Sequence, residues 1–114
     1  MIDIRKAVIP LARKTMETLT EAMFYILMTL RSGPKCGIEI VSSIDKVTQD
    51  RVNIGPATLY TVLARFEKEG YITEIEVSGR KRTYRITEVG LNAYQEELVR
   101  LKNCLLDAER SDAL

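Results

Sequence analysis

Arg80-Lys81-Arg82 sets three cations side by side just after the turn pair Ser78-Gly79, and Thr83-Tyr84 adds two hydroxyls. Side chains of these types donate to phosphate oxygens, and an arginine on a hairpin tip can enter a narrow, A·T-rich minor groove. A second group lies upstream. Tyr60, Arg65 and Lys68 are types that donate hydrogen bonds to phosphates, while Ala57, Thr58, Thr61 and Ala64 are small. At helical steps of about 100°, Ala57, Thr61, Ala64 and Lys68 share one face, with Tyr60 and Arg65 on its flanks. A small-residue face lets a helix backbone lie deep in a DNA major groove, where Thr61 can meet a base edge. The chemistry these types can do is non-covalent: two separate grips on nucleic acid.

Covalent and metal chemistry has little to work with. The chain has no histidine and only two cysteines, Cys36 and Cys104, far apart in sequence. That excludes Ser-His-Asp and Cys-His catalysis and the common zinc motifs, so no enzyme activity, metal or cofactor is expected. Arg5, Lys6, Arg13 and Lys14 interrupt the apolar residues of the N-terminus, which leaves no secretory signal core. No stretch reaches the ~18–20 apolar residues of a membrane span, and a cytoplasmic location is expected. There the two cysteines read as reduced thiols, buried and structural in preference to redox-sensing.

At 114 residues, with 46% hydrophobic and 29% charged content, the chain is sized for one small globular domain. A formal net charge of +1 is low for a nucleic-acid binder. The distribution answers that objection: residues 1–87 carry 14 basic and 10 acidic groups, and residues 88–114 carry 3 and 6. A basic body with an acidic tail suits one DNA-facing surface and a separate segment for another contact.

Those side chains need elements that aim a helix and a hairpin the same way. Gly55 can cap a helix that starts at Pro56, Leu59, Val62, Leu63 and Phe66 give its apolar stripe, and Gly70 can close it in the left-handed conformation. Tyr71 to Val77 alternates as a strand, with Thr73, Ile75 and Val77 against Glu74 and Glu76, and Thr83 to Ile86 alternates back. An edge strand guarded by charge is the competing reading of the basic tip. It is the weaker one once helix and tip occur in this order. Val52-Asn53-Ile54 is β-prone and is expected to pair with the wing as a third strand, with Asn53 among the DNA contacts.

Ahead of this unit, Thr20 caps a buried helix over residues 22–30, Leu19 can staple against Phe24, and Gly33-Pro34 stops the helix. A second helix is expected from about Gly37 to Val47, with Ile40, Val41, Ile44 and Val47 facing inward. Its start, near Lys35, can approach the DNA backbone. Residues 1–18 read as an amphipathic leader started or bent at Pro10. Thr87 caps the last helix, where Leu91, Tyr94, Leu98, Leu101, Leu105 and Ala108 follow in 3-4-3-4-3 spacing. This seam can dock on the domain's own core or join two subunits; its length beyond the hairpin favours two subunits.

Several runs together resemble one family. Leu19-Thr20-Glu21-Ala22-Met23-Phe24-Tyr25-Ile26-Leu27, Gly33-Pro34-x-x-Gly37-x-Glu39-Ile40, Gly55-Pro56-Ala57-Thr58-Leu59-Tyr60, Gly70-Tyr71-Ile72 and Arg82-Thr83-Tyr84-x-Ile86-Thr87-Glu88-x-Gly90 are similar to the PadR family of bacterial transcriptional regulators. The resemblance covers residues 19 to about 110 and implies a homodimeric winged-helix protein, usually a repressor, of the short subfamily with one C-terminal helix. It carries a DNA role onto Thr58 and Tyr60 and a wing role onto Arg80, Lys81 and Arg82. The chain departs from the family at Cys36 and Ile38, where an aromatic or histidine is frequent. Its last helix also lacks the tryptophan that some drug-binding relatives use.

The expected fold is mainly α (α+β): a leader over residues 1–18, a winged helix-turn-helix over 19–87, and a dimerisation helix over 88–114. The expected function is a homodimeric repressor on a palindromic double-stranded operator, released by a small-molecule effector or another signal. The alternative is a winged-helix protein-interaction module without DNA binding.

Overall fold

The computed structural model describes residues 18–114, so the leader expected over residues 1–18 lies outside the described residues except for Thr18. The order is α1 (Glu21–Leu30), β1 (Lys35–Cys36), α2 (Gly37–Thr48), α3 (Pro56–Lys68), β2 (Ile72–Ser78), β3 (Lys81–Ile86) and α4 (Glu88–Ser111). The architecture is a winged helix with a long helix appended.

α1 is the hub. Thr20 caps it, the Thr20 hydroxyl accepting from the Met23 amide at 3.2 Å. Ile26, Leu27 and Leu30 are at most 1% exposed, and α2, α3, β3 and α4 all contact this helix. Full burial of such side chains stabilises by about 1.5–3 kcal/mol each. Thr29, the polar residue in the run, is buried as well; its hydroxyl donates to the Ile26 carbonyl at 2.9 Å and so needs no outside partner.

α2 keeps Ile40 and Ile44 in the core and half-buries Val41, as expected. Val47 does not face inward: it is 59% exposed. Thr48 takes that place, its hydroxyl donating to the Ile44 carbonyl at 2.7 Å, so the inner stripe runs Ile40, Ile44, Thr48. Left-handed Gln49 and Asp50 then end the helix.

The third strand is not residues 52–54. β1 fills that role, in the sheet order β1-β3-β2, with Lys35 opposite Tyr84 and Cys36 opposite Thr83. Val52 and Ile54 are buried as anchors of the loop between α2 and α3, where the Val52 amide donates to the Thr48 hydroxyl at 3.3 Å. Two apolar residues one apart read the same in a strand and in an anchored loop, and a two-residue strand has no periodicity to read.

The hairpin departs from simple alternation. Ile75 and Val77, on one side of the expected alternation, are exposed. Glu74 lies opposite Tyr84 and Glu76 opposite Thr83, which leaves Ile75 as an extra residue in a bulge. A bulge resets the phase of its strand and increases the local twist. Ser78 pairs with Lys81, so the turn is Gly79-Arg80, one residue later than expected, with Gly79 at φ 63°.

α4 divides the heptad seam. Its inner stripe is Gly90, Ala93, Tyr94 and Glu97, with Leu98 packed at the edge of the core. Tyr94 stacks on Phe24, ring centroids 5.0 Å apart, and the Arg31 guanidinium sits 4.7 Å from the Tyr94 ring centre. Tyr94, expected between subunits, is thus spent on its own domain. Leu101, Leu105 and Ala108 continue past the core and are exposed. Glu97 accepts from Arg100, and that bond holds its carboxyl below the usual carboxylate range against the opposing effect of burial. Cys36 is buried as expected, but Cys104 is exposed on this outer half, where no core exists to bury it.

One carbonyl joins the wing to α4. Gly70, at φ 78°, and Tyr71 close α3 in a Schellman motif, with Gly70 N to Glu67 O at 3.1 Å and Tyr71 N to Phe66 O at 2.8 Å. The Tyr71 carbonyl then accepts from the Thr87 amide at 2.9 Å, while the Thr87 hydroxyl accepts from Gly90 N at 3.1 Å to cap α4. A β-carbon on Gly90 would overlap the Tyr71 carbonyl oxygen and lie 3.0 Å from Ile86 Cγ1. Gly90→Ala is therefore expected to destabilise the fold by about 1–3 kcal/mol, the usual range for overpacking. Urea unfolding should show a lower midpoint at an unchanged slope; an unchanged midpoint would refute the close approach.

Candidate nucleic-acid interface

Two surfaces meet at one groove. α3 forms one wall, the wing formed by β2 and β3 the other, and the start of α2 the third side. The groove has a volume of about 730 Å³, with Cys36, Leu63 and Tyr84 among its apolar lining and Arg80, Lys81 and Arg82 from the wing. Tyr60, Ala64 and Glu67 line it from α3, and Gly37, Ile38 and Glu39 from α2.

α3 begins as its sequence dictates, with Gly55 as N-cap and Pro56 in the first turn, and buries Leu59, Val62, Leu63 and Phe66. The opposite side is solvent-facing: Ala57, Thr58, Tyr60, Thr61, Ala64, Arg65 and Lys68 are all exposed. The structure therefore brings the expected α3 residues onto one accessible surface. Asn53 is exposed too, in the loop ahead of the helix.

Lys35 is held elsewhere. Its ammonium donates to the Thr29 carbonyl at 2.8 Å and the Ser32 hydroxyl at 2.7 Å, which ties β1 to the end of α1. Lysine on the last carbonyls of a helix is a cap, favoured by the helix dipole. Arg82 is also engaged. Its Nε lies 3.5 Å from Glu74 Oε2, a buried oxygen with no hydrogen-bond partner among the described residues. Burial raises the Tyr84 hydroxyl above its usual value, and a hydrogen bond from Arg82 partly offsets that. Arg80 and Lys81 stand exposed at the tip.

Two acidic residues of the groove are not evident in the sequence. Glu39 completes a capping box, its carboxylate accepting from the Cys36 amide at 2.9 Å, and that bond lowers its pKa. Glu67 lies on the wing side of α3. Glu39 is legible as a helix cap from its spacing to Cys36, whereas its place beside Arg80 and Lys81 needs the tertiary fold. Among the described residues no cluster of Cys, Asp and Glu could hold a metal ion, and no helix is long and apolar enough to cross a membrane.

An exposed small-faced helix beside a basic two-stranded tip is a nucleic-acid-binding geometry, and comparison with known proteins carries the point further. Residues 26–96 match the Transcriptional regulator PadR-like family. The chain belongs to this family. A transcriptional regulator from Clostridium thermocellum is 31% identical and superposes with a TM-score of 0.70 over 77% of this chain and 89% of that one. PadR of Bacillus subtilis, solved in complex with operator DNA, shares the fold at 24% identity and a TM-score of 0.62, over 70% of this chain and 48% of that one. A 37.1 kDa protein in transposon TN4556 of Streptomyces fradiae is 32% identical over 77 residues, 68% of this chain. The chain spans 22% of the length of that relative.

Lys81 is exposed at the tip while Lys35 is bonded to the end of α1, so the two lysines differ in what their substitution removes. Lys81→Ala should leave thermal stability unchanged and flatten the log–log salt dependence of DNA binding by about one unit per chain. Lys35→Ala should do the reverse, lowering stability by about 0.5–1.5 kcal/mol through the lost α1 bonds with the slope intact. Paired melting and salt titrations check both outcomes.

Proposed function

We propose that the protein is a sequence-specific DNA-binding regulator, a homodimeric repressor in which α3 enters the major groove and the Arg80-Lys81 tip reaches the flanking minor groove. The observation that supports this is the shared, solvent-open side of α3 and wing, with small residues where a helix must approach DNA and cations where phosphates would lie. The regulator of Bacillus subtilis with the same fold is bound to operator DNA. Arg65, Lys68, Arg80 and Lys81 are exposed in each chain. Two chains would neutralise about eight phosphates, so the log–log salt slope should be roughly −7, from about −0.9 per phosphate. A slope near zero on duplex selected from a random pool would sink the DNA reading. Release by a small-molecule effector or another signal completes the reading, because a repressor acts as a switch only if something frees it.

The dimer rests on α4. Beyond Leu98 every residue of the helix is exposed, and Leu101 and Leu105 are 38% and 65% exposed on a line that continues the buried Tyr94–Leu98 side. Apolar residues repeated on a free helix face are the material of a helix–helix seam. A two-fold pair would offer two copies of α3 to half-sites about 34–36 Å apart. Leu101→Glu with Leu105→Glu places like charges in that seam at a cost of several kcal/mol. These positions lie off the domain core, so the double variant should keep its helical circular dichroism, scatter light as a monomer and lose tight operator binding. A variant that stays dimeric, or a monomer that still binds tightly, would overturn the assignment.

A further inference from the structure

Gly37 has no conformational reason to be glycine. Its φ lies outside the left-handed region that Gly33, Gly70 and Gly79 occupy. It is the first residue of α2, where alanine is a better helix former than glycine. The reason lies across the groove, in Tyr60. A β-carbon on Gly37 would sit 3.0 Å from Tyr60 Oη, 3.5 Å from Tyr60 Cζ and 3.3 Å from Leu59 Cδ2, closer than ordinary van der Waals contact for the first and third. Tyr60 is otherwise 55% exposed, and it lines both the 730 Å³ groove and a second depression of about 380 Å³ between α2 and α3.

We infer that Gly37 is a positioning residue for Tyr60: the missing β-carbon lets the phenol lie against the start of α2, so that its hydroxyl is set for a DNA phosphate before DNA arrives. The inference rests on the DNA reading above and adds to it which residue fixes the tyrosine. A half-exposed tyrosine without such a backstop samples several rotamers, and ordering it on binding weakens the complex. The contact removes that loss in advance. It also ties α2 to α3 at the surface, where the DNA-facing ends of both helices meet.

A double-mutant cycle on full-length protein tests this, using duplex that the wild type selects from a random pool. Gly37→Ala is expected to weaken binding about three- to tenfold, the range set by freeing one ordered side chain. In a Tyr60→Ala background the same substitution should change nothing. An equal loss in both backgrounds, or no loss in either, overturns the inference. Nuclear Overhauser effects between Gly37 Hα and the Tyr60 ring provide a reading that needs no DNA. They should be present in the wild type, and their absence would overturn the inference whatever the binding data show. If Gly37→Ala fails to fold, Gly37 acts on stability and not on Tyr60, and the inference falls unless Tyr60→Ala restores folding. If the wild type binds no duplex at low salt while the Overhauser effects are present, the DNA reading fails and takes the role of Gly37 with it, but the contact itself stands.

Discussion

The carbonyl of Tyr71 is the constraint on which the layout turns. It lies where α3 ends and β2 begins, receives the Thr87 amide, and has the start of α4 pressed against it at Gly90. Tyr71 is also 1% exposed and packs its ring 5.6 Å from that of Phe66, so the carbonyl cannot drift from the α3 core. One backbone group thereby relates α3, the wing and the last helix. Buried backbone carbonyls must be satisfied, and the Thr87 amide and hydroxyl that reach this one follow directly on β3.

Much of this was legible in the residues. Gly55-Pro56 and Gly70 mark the ends of α3 because the reasons are local: a proline without an amide, and a glycine that takes positive φ. Thr20 and Thr87 are legible for the same reason, each hydroxyl having an unpaired amide three residues on. The outer side of α3 is legible because its complement, the apolar stripe, is regular.

What the sequence hides is what depends on distant partners. Lys35 reads as a cation near DNA, and nothing in the sequence shows that the end of α1 supplies it with two oxygens. Arg82 reads like its neighbours until Glu74 comes across the hairpin. The bulge at Ile75 hides behind an apparently good alternation, since an extra residue leaves the composition of a strand unchanged. The seam in α4 is read correctly as apolar and periodic, yet period alone cannot say that Tyr94 and Leu98 meet Phe24 and the core while Leu101 and Leu105 do not. The acidic members of the groove, Glu39 and Glu67, belong to this group too. They line the same groove as Arg80, Lys81 and Arg82, so the field there is mixed.

α4 runs unbroken from Glu88 to Ser111, half of it seated and half of it projecting. A continuous helix transmits rotation as well as distance: one residue advances it by about 1.5 Å and turns it by about 100°. The projecting half is therefore an indexed shaft whose angular setting is fixed at the Tyr71 carbonyl. Residues near Leu98 can change in type with little effect on that setting, but not in number. A single insertion there would point the far leucines away from their former direction while leaving the winged domain intact.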